Sequence, residues 1–445
     1  MSQKNKIIKG AFILTAAGFI SRFMGFFYRI FLSRTFGEEG VGLYQLIFPV
    51  YTLIFSLTTA GIQTAISQQI GQLSASGRRQ QMKSTLYAGL IISTAFSCIC
   101  TLFIQQNASY IAVHLLGDSR CTDMLLVLAY VFPFSAVHSC ICGYYYGTKN
   151  AALPALSQLL EQVVRIAAVY ILYWFSISRG QQVNIVIAVG GLIFGEIASC
   201  ICSVSVFAHN NVGAIHKKVN LSDTVSAIKG LLLFSTPLTL NRVLINLFQS
   251  LEAISIPGQL EAASHNTSQA LSIYGVLTGM ALPCIMFPSA ITSSIAVLLV
   301  PTIAEVKSSD NVQKMKTIIR KVSFSCIFLG GLCWLFFLLF GNFIGVHLFH
   351  STLAGRFILT LSWICPFLYL NTTLISTLNG LGKTLFTFLF HISSLSVRII
   401  GVFWGIPLLG IQGYMYGLLL SQLTLTLLCV LYLNYYFKTF PTGKG

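Results

Sequence analysis

Apolar residues come in long runs along this chain, separated by short polar stretches that hold most of the charge. A hydrocarbon core of about 30 Å takes roughly 20 residues of helix at about 1.5 Å each. By run length and breaks, the pattern predicts about twelve spans. They cover residues 8–33, 41–70, 84–106, 123–147, 152–175, 184–207, 225–250, 270–300, 317–341, 357–380, 384–405 and 410–436. The expected fold class is all-α and integral to a membrane, with about twelve transmembrane helices.

The pattern then repeats. Lys9–Gly10 stand as far before Arg22 as Lys229–Gly230 do before Arg242. Pro133, Gly147 and Arg165 have the mutual spacings of Pro366, Gly380 and Arg398, and Gly191-xxx-Gly195 is answered by Gly413-xxx-Gly417. Two six-helix halves are predicted, 1–208 and 224–445, joined by a polar cytoplasmic linker at 209–223. An even number of spans per half makes the repeats parallel, the arrangement of two-bundle transporters that handle substrate near the bilayer midplane.

Composition fits only a membrane protein: 55% of the 445 residues are hydrophobic and 9% charged. The net charge of +16 invites nucleic acid, but the 27 basic residues are scattered through short loops, and nucleic-acid binding is set aside. With the N-terminus inside, four of them fall outside, Arg34, Arg120, Arg179 and Arg356. Five lie deep within spans, Arg22, Arg29, Arg165, Arg242 and Arg398, and the other eighteen are in inside loops or at the inside ends of spans. That bias places both termini in the cytoplasm of a multi-pass protein. The run after Met1–Lys9 is long and has no small-residue cleavage site, so the first helix is expected to stay.

Charge inside the bilayer carries the chemistry. An arginine near the centre of a span costs roughly 2.5–3.5 kcal/mol and by default faces a protein interior or wet cavity. Arg22 and Arg242 occupy equivalent places in spans 1 and 7, and Arg165 and Arg398 in spans 5 and 11. Against them the sequence sets two deep acids, Glu161 and Glu196. Glu161 precedes Arg165 by one turn in the order that favours an ion pair; its counterpart in the second half is Ser394. Guanidinium groups in excess over carboxylates suit an anion, and their forked donors match phosphate oxygens. Arg22, Arg242, Arg398 and Arg165 are the expected substrate-binding residues. Glu161 and Glu196 are the expected coupling residues, and Gly25, Pro133, Pro237 and Pro366 the expected hinges. Arg29, near the outer end, is expected to cap or snorkel.

The stretches SRFMGFFYR (Ser21–Arg29), RTFGEEGVGLYQLIFPVY (Arg34–Tyr51) and TTAGIQTAISQQI (Thr58–Ile70) resemble the stage V sporulation protein B family. It is part of the polysaccharide exporter branch of the MOP flippase superfamily, alongside the MurJ lipid II flippases and the MATE multidrug exporters. The resemblance implies a flippase moving an undecaprenyl-pyrophosphate-linked sugar, of lipid II type and for the spore cortex, across the bacterial cytoplasmic membrane by alternating access. Cell-wall synthesis enzymes are implied as partners. Ser21, Arg22, Gly25 and Phe26 match the SRxxGF motif of MurJ-type proteins, whose arginine lines the cavity. A second arginine of that motif would stand at Tyr28, with Arg29 one residue on, and Val41–Ile70 lacks the helix-2 arginine of MurJ. These departures favour the sporulation-type branch. Longer members carry two further C-terminal helices.

Two other readings stand beside it. A cation-coupled multidrug exporter of MATE type needs acids in its cavity, and spans 1, 2 and 8 as drawn above contain none. A non-transporting membrane scaffold would not need arginines paired across two halves. No enzyme activity, cofactor or metal is expected. The three C-I-C triplets, at Cys98, Cys140 and Cys200, turn their thiols some 200° apart on a helix. His138 and His391 read as packed or hydrogen-bonded histidines. No nucleotide-binding loop is present in the sequence.

Overall fold

The computed structural model describes residues 3–210, 221–263, 266–308 and 312–439. Most of the 209–223 linker, with Lys217 and Lys218, lies outside the described residues, as does Lys444. Among the described residues every regular element is helical. The chain runs through α1 (Gln3–Leu46), α2 (Phe48–Phe55), α3 (Gly61–Ala75), α4 (Arg79–Tyr110), α5 (Cys121–Ala129), α6 (Val131–Gly147), α7 (Ala152–Ser178) and α8 (Val186–Asn210). It continues as α9 (Leu221–Ala262), α10 (Thr267–Gly275), α11 (Leu282–Met286), α12 (Ser289–Ser308), α13 (Val312–Phe343) and α14 (Thr352–Leu361). Then come α15 (Cys365–Gly380), α16 (Thr384–Ile400), α17 (Ile406–Leu409) and α18 (Ile411–Thr439). Eleven of the helical runs are long and apolar enough to cross a membrane, or twelve if the bent α5–α6 pair is one span.

Two boundaries differ from the sequence reading. The polar stretch 34–40 is helical, and α1 runs through it, leaving helical geometry at Gly37 (φ 69°, ψ −175°). Glycine takes that backbone without a Cβ clash. Phe12–Ser74 is thus one helical run of 63 residues, where the sequence pattern predicts two spans at 8–33 and 41–70. The predicted span at 270–300 is, conversely, two runs, Thr267–Met286 and Ser289–Lys307, parted at Phe287–Pro288.

The chain forms two compact units, one of Met1–Tyr28 with Leu43–Ile254, the other of Arg29–Gly42 with Ser255–Gly445. These packing units and the sequence halves are different divisions, because most of α9 packs with the first unit and the middle of α1 with the second. The first unit's core joins Ile62, Ile66, Ile70, Met82, Leu86, Cys140 and Leu231. The second unit's core joins Leu299, Ile303, Met315, Leu370, Leu378 and Cys429. Large apolar side chains such as Phe12, Trp174, Leu233 and Phe324 are strongly exposed, as the lipid-facing surface of a membrane protein requires.

The repeat extends to details of the backbone. A wide π turn at Ser56–Ala60 links α2 to α3, and another at Val276–Ala281 links α10 to α11, with the spacing that separates Arg22 from Arg242. A second pair, Ile111–Leu116 and Ile344–Leu348, has the spacing of Gly147 and Gly380. Within it His114 stacks on Tyr110 and His347 on Phe343, each at 4.4 Å between centroids. A Cβ on Gly147 would stand 2.7 Å from the Ser67 carbonyl and 2.8 Å from Ile70 Cβ. On Gly380 it would stand 2.8 Å from the Val300 carbonyl and 2.9 Å from Ile303 Cβ. The two glycines let α6 and α15 press against α3 and α12 in the same way.

Candidate functional site

The first unit holds a polar cluster built by α6, α7 and α8. Helix α8 can lie directly on α7 because Gly195 has no side chain. A Cβ there would be 2.8 Å from the Glu161 carbonyl, 3.2 Å from Arg165 Cβ and 3.4 Å from Glu161 Cγ. One turn earlier, a Cβ on Gly191 would be 3.0 Å from the Arg165 carbonyl. This close approach carries Glu196, 5% exposed, to the Glu161–Arg165 turn. Helix α6 then adds His138.

Arg165 pairs with Glu161 through Nη2 and Oε1. His138 Nδ1 lies 3.4 Å from Glu196 Oε2 and 3.2 Å from Ser199 Oγ, while its Nε2 lies 3.0 Å from Ser157 Oγ. Ser199 Oγ also donates to the Glu196 carbonyl at 3.0 Å. One ligand atom from each of His138, Glu161 and Glu196 falls within 4.8 Å of the others. The buried Arg165 Nε has no hydrogen-bond partner among the described residues. Two carboxylates, one guanidinium and one imidazole in a low-dielectric setting leave a charge to be balanced. A bound proton or cation can supply that balance, and an N/O ligand set of this kind can also hold a metal ion.

The repeat places a different network in the second unit. Residues at the spacings of His138, Glu161 and Ser199 are Asn371, Ser394 and Ser421. There Asn371 Nδ2 donates to the carbonyl and Oε1 of Gln422 at 3.0 and 2.9 Å, and Thr426 Oγ1 donates to Asn371 Oδ1 at 2.8 Å. Ser394 Oγ donates to the Ser421 carbonyl at 3.1 Å. One packing plan thus carries titratable groups in the first unit and neutral ones in the second.

Of the sequence-predicted residues, Glu161, Arg165 and Glu196 are brought together, and the structure adds His138, Ser157 and Ser199. Of the four arginines expected to bind substrate, Arg165 is committed to the ion pair with Glu161. Arg22 on α1 and Arg242 on α9 are both exposed and both belong to the first unit. Arg242 Nη2 donates to Thr64 Oγ1 at 3.1 Å. Half-buried Arg398 on α16 belongs to the second unit. Arg29 Nη1 donates to the Gly279 carbonyl at 3.4 Å, as expected of a capping residue. Another buried acid, Glu252, 2% exposed, lies on α9 just past residue 250, the limit of the seventh predicted span. A Cβ on Gly25 would be 3.5 Å from Gln162 Nε2, so this part of α1 passes beside α7. Pro133 follows the 40° bend between α5 and α6, Pro237 lies within α9, and Pro366 sits in the first turn of α15.

Comparison with known proteins places the chain. A model of the polysaccharide biosynthesis protein family matches residues 7–307. Stage V sporulation protein B of Bacillus subtilis (strain 168) is 30% identical over 430 residues, covering 96% of this chain and 83% of that protein. Among solved structures, the lipid II flippase MurJ in an inward closed conformation matches with a TM-score of 0.73 at 13% identity, over 97% of this chain and 88% of its own. An inward-facing multidrug resistance MATE family transporter of the MOP superfamily matches with a TM-score of 0.71 at 15% identity, over 96% of each chain. At those identities the structural likeness is one of fold. This multi-pass membrane chain therefore belongs to the polysaccharide biosynthesis protein family and has the fold of MOP-superfamily transporters.

Proposed function

We propose that this protein exports an undecaprenyl-pyrophosphate-linked sugar of lipid II type across the bacterial cytoplasmic membrane by alternating access, with both termini cytoplasmic and no chemical step on the substrate. Spore cortex formation is the context this reading favours, with cell-wall synthesis enzymes as partners. The observation that carries it is the placement of intramembrane arginines at repeat-equivalent positions, Arg22 with Arg242 and Arg165 with Arg398, in a chain of this family. Such residues are costly in a bilayer and suit phosphate oxygens. Arg22 and Arg242, both of the first unit, hold the pyrophosphate while the prenyl tail stays in lipid. Gly25, Pro133, Pro237 and Pro366 let their helices bend as access alternates.

Vectorial export needs a driving force. Glu161 and Glu196, with His138, are the coupling groups: a proton or cation taken up by the cluster offsets the carboxylate charge and competes with Arg165 for Glu161. The same cluster favours a second reading, a cation-coupled exporter of hydrophobic cations, since buried carboxylates are what such a substrate requires. Purified protein in liposomes with a fluorescent undecaprenyl-pyrophosphate glycolipid separates the two. The first reading expects transbilayer movement of the glycolipid above that of protein-free vesicles. Movement of a hydrophobic dye cation under an ion gradient, with none of the glycolipid, would move the assignment to the second.

A further inference from the structure

Away from the intramembrane charges, the first unit has a cleft of about 510 Å³ between the C-terminal end of α3 and the early turns of α9. Gln69, Gln72 and Arg78 line it on the α3 side, and Leu233 and Phe234 on the α9 side. We infer that this cleft binds the headgroup of an anionic membrane phospholipid, with the phosphate on Arg78 and the two glutamine amides and the acyl chains beginning on Leu233 and Phe234.

Polarity and charge argue for that occupant. The cleft joins a guanidinium and two amides to an apolar pair of which Leu233 is 83% exposed. It lies where a helix ends, the level at which headgroups meet acyl chains. Arg78 is the only charged residue among the described lining residues, which matches the single negative charge of a phosphodiester; a diphosphate would call for more than one cation. Arg79 and Lys83 follow in sequence, adding to the attraction of an anionic leaflet.

The end of α3 would repel an anion if its last carbonyls were bare. Those of Gln72, Leu73 and Ser74 are satisfied by the turn itself. Ser76 N donates to the Gln72 carbonyl at 3.2 Å, Gly77 N to Ser74 at 3.3 Å and Arg78 N to Leu73 at 3.0 Å. Gly77 (φ 72°) makes that closure possible. Ser76 Oγ is committed to the same end, donating to the Gln72 and Leu73 carbonyls at 3.2 and 3.1 Å, so Arg78 and the amides are the side-chain donors for a phosphate.

Native mass spectrometry of the full chain in detergent, titrated with phosphatidylglycerol or phosphatidylcholine, reads the site directly. One phosphatidylglycerol should be retained in preference to phosphatidylcholine. Arg78→Gln should weaken retention about tenfold, the loss of a charge-assisted hydrogen bond, and Arg78→Lys should restore part of it. Gly230→Leu should weaken it independently, because a Cβ there stands 3.9 Å from Gln69 Nε2 and a longer side chain fills the cleft. Arg356→Gln on α14 removes an equal charge elsewhere and should leave retention unchanged. Equal retention of both lipids, or full retention by both Arg78→Gln and Gly230→Leu, overturns the site. So does complete displacement of the lipid by millimolar inorganic phosphate, which would mark an anion site without a lipid. If Gly230→Leu fails to fold, as read by thermal unfolding, the exposed Arg78 substitutions decide alone.

Discussion

Glu161 and Arg165 hold opposite charges one helical turn apart, each side chain no more than 20% exposed. Removing either alone strands the other, which costs about 3–5 kcal/mol for a buried pair, whereas removing both costs much less. Glu161→Gln and Arg165→Met should each lower the unfolding midpoint in detergent, and the double variant should regain most of the loss; additive losses would show that the pair is not a unit. Glu196→Gln tests the coupling role at the same scale. It should leave downhill glycolipid movement in liposomes intact and remove its acceleration by an imposed proton or sodium gradient; an undiminished response would assign coupling elsewhere. The ion pair was legible in the sequence because its members stand at i and i+4 on one helix. His138 was legible as a packed or hydrogen-bonded histidine but its place in the cluster was not, since its partners Ser157, Glu196 and Ser199 lie on two other helices and only packing brings them within reach. Glu252 was missed as an interior acid because the drawn span stopped at residue 250, while α9 runs on to Ala262.

Helix packing turns on small residues at the contacts. Gly191-xxx-Gly195 and Gly413-xxx-Gly417 were visible in the sequence as a repeat, and the structure supplies their partners. The first pair lies on the Glu161–Arg165 stretch of α7. The second lies on the turn after α16, where a Cβ on Gly417 would be 3.0 Å from Gly401 Cα. Gly195→Val should push α8 off α7, costing about 1–3 kcal/mol as overpacking does, and lower both the unfolding midpoint and the gradient response. Unchanged stability would mean that α8 does not depend on this contact. The run through 34–40 shows where sequence reading stops. Arg34, Glu38 and Glu39 read as a loop, yet Arg34 donates to the carbonyls of His347 and Leu348 at 2.6 and 2.8 Å, and Glu39 accepts from Ser268 at 2.7 Å. Partners hundreds of residues away make a charged helix affordable there, and local pattern carries no trace of them.

Across the whole chain, the repeat and the charge bias make separate demands. The twofold pattern was legible as matched prolines, glycines and arginines, and it recurs in the wide turns at 56–60 and 276–281 and in the stacked His114 and His347. The packing units at Met1–Tyr28 with Leu43–Ile254 and at Arg29–Gly42 with Ser255–Gly445 were not legible, because which part of a long helix packs with which neighbours is a property of the assembled chain. The basic-residue bias expects both termini in the cytoplasm. Green fluorescent protein fused after Lys149 or Lys321 should fluoresce, and alkaline phosphatase fused after Asp118 should be active; the opposite pattern would invert the topology and the direction assigned to transport. The central claim is that paired intramembrane arginines hold a lipid-linked pyrophosphate during export. Its most direct test is transbilayer movement of a fluorescent undecaprenyl-pyrophosphate glycolipid in liposomes, wild type against Arg22→Gln/Arg242→Gln at matched folding. Movement by the wild type and its loss in the double variant is the expected result, and equal movement by both would contradict the claim.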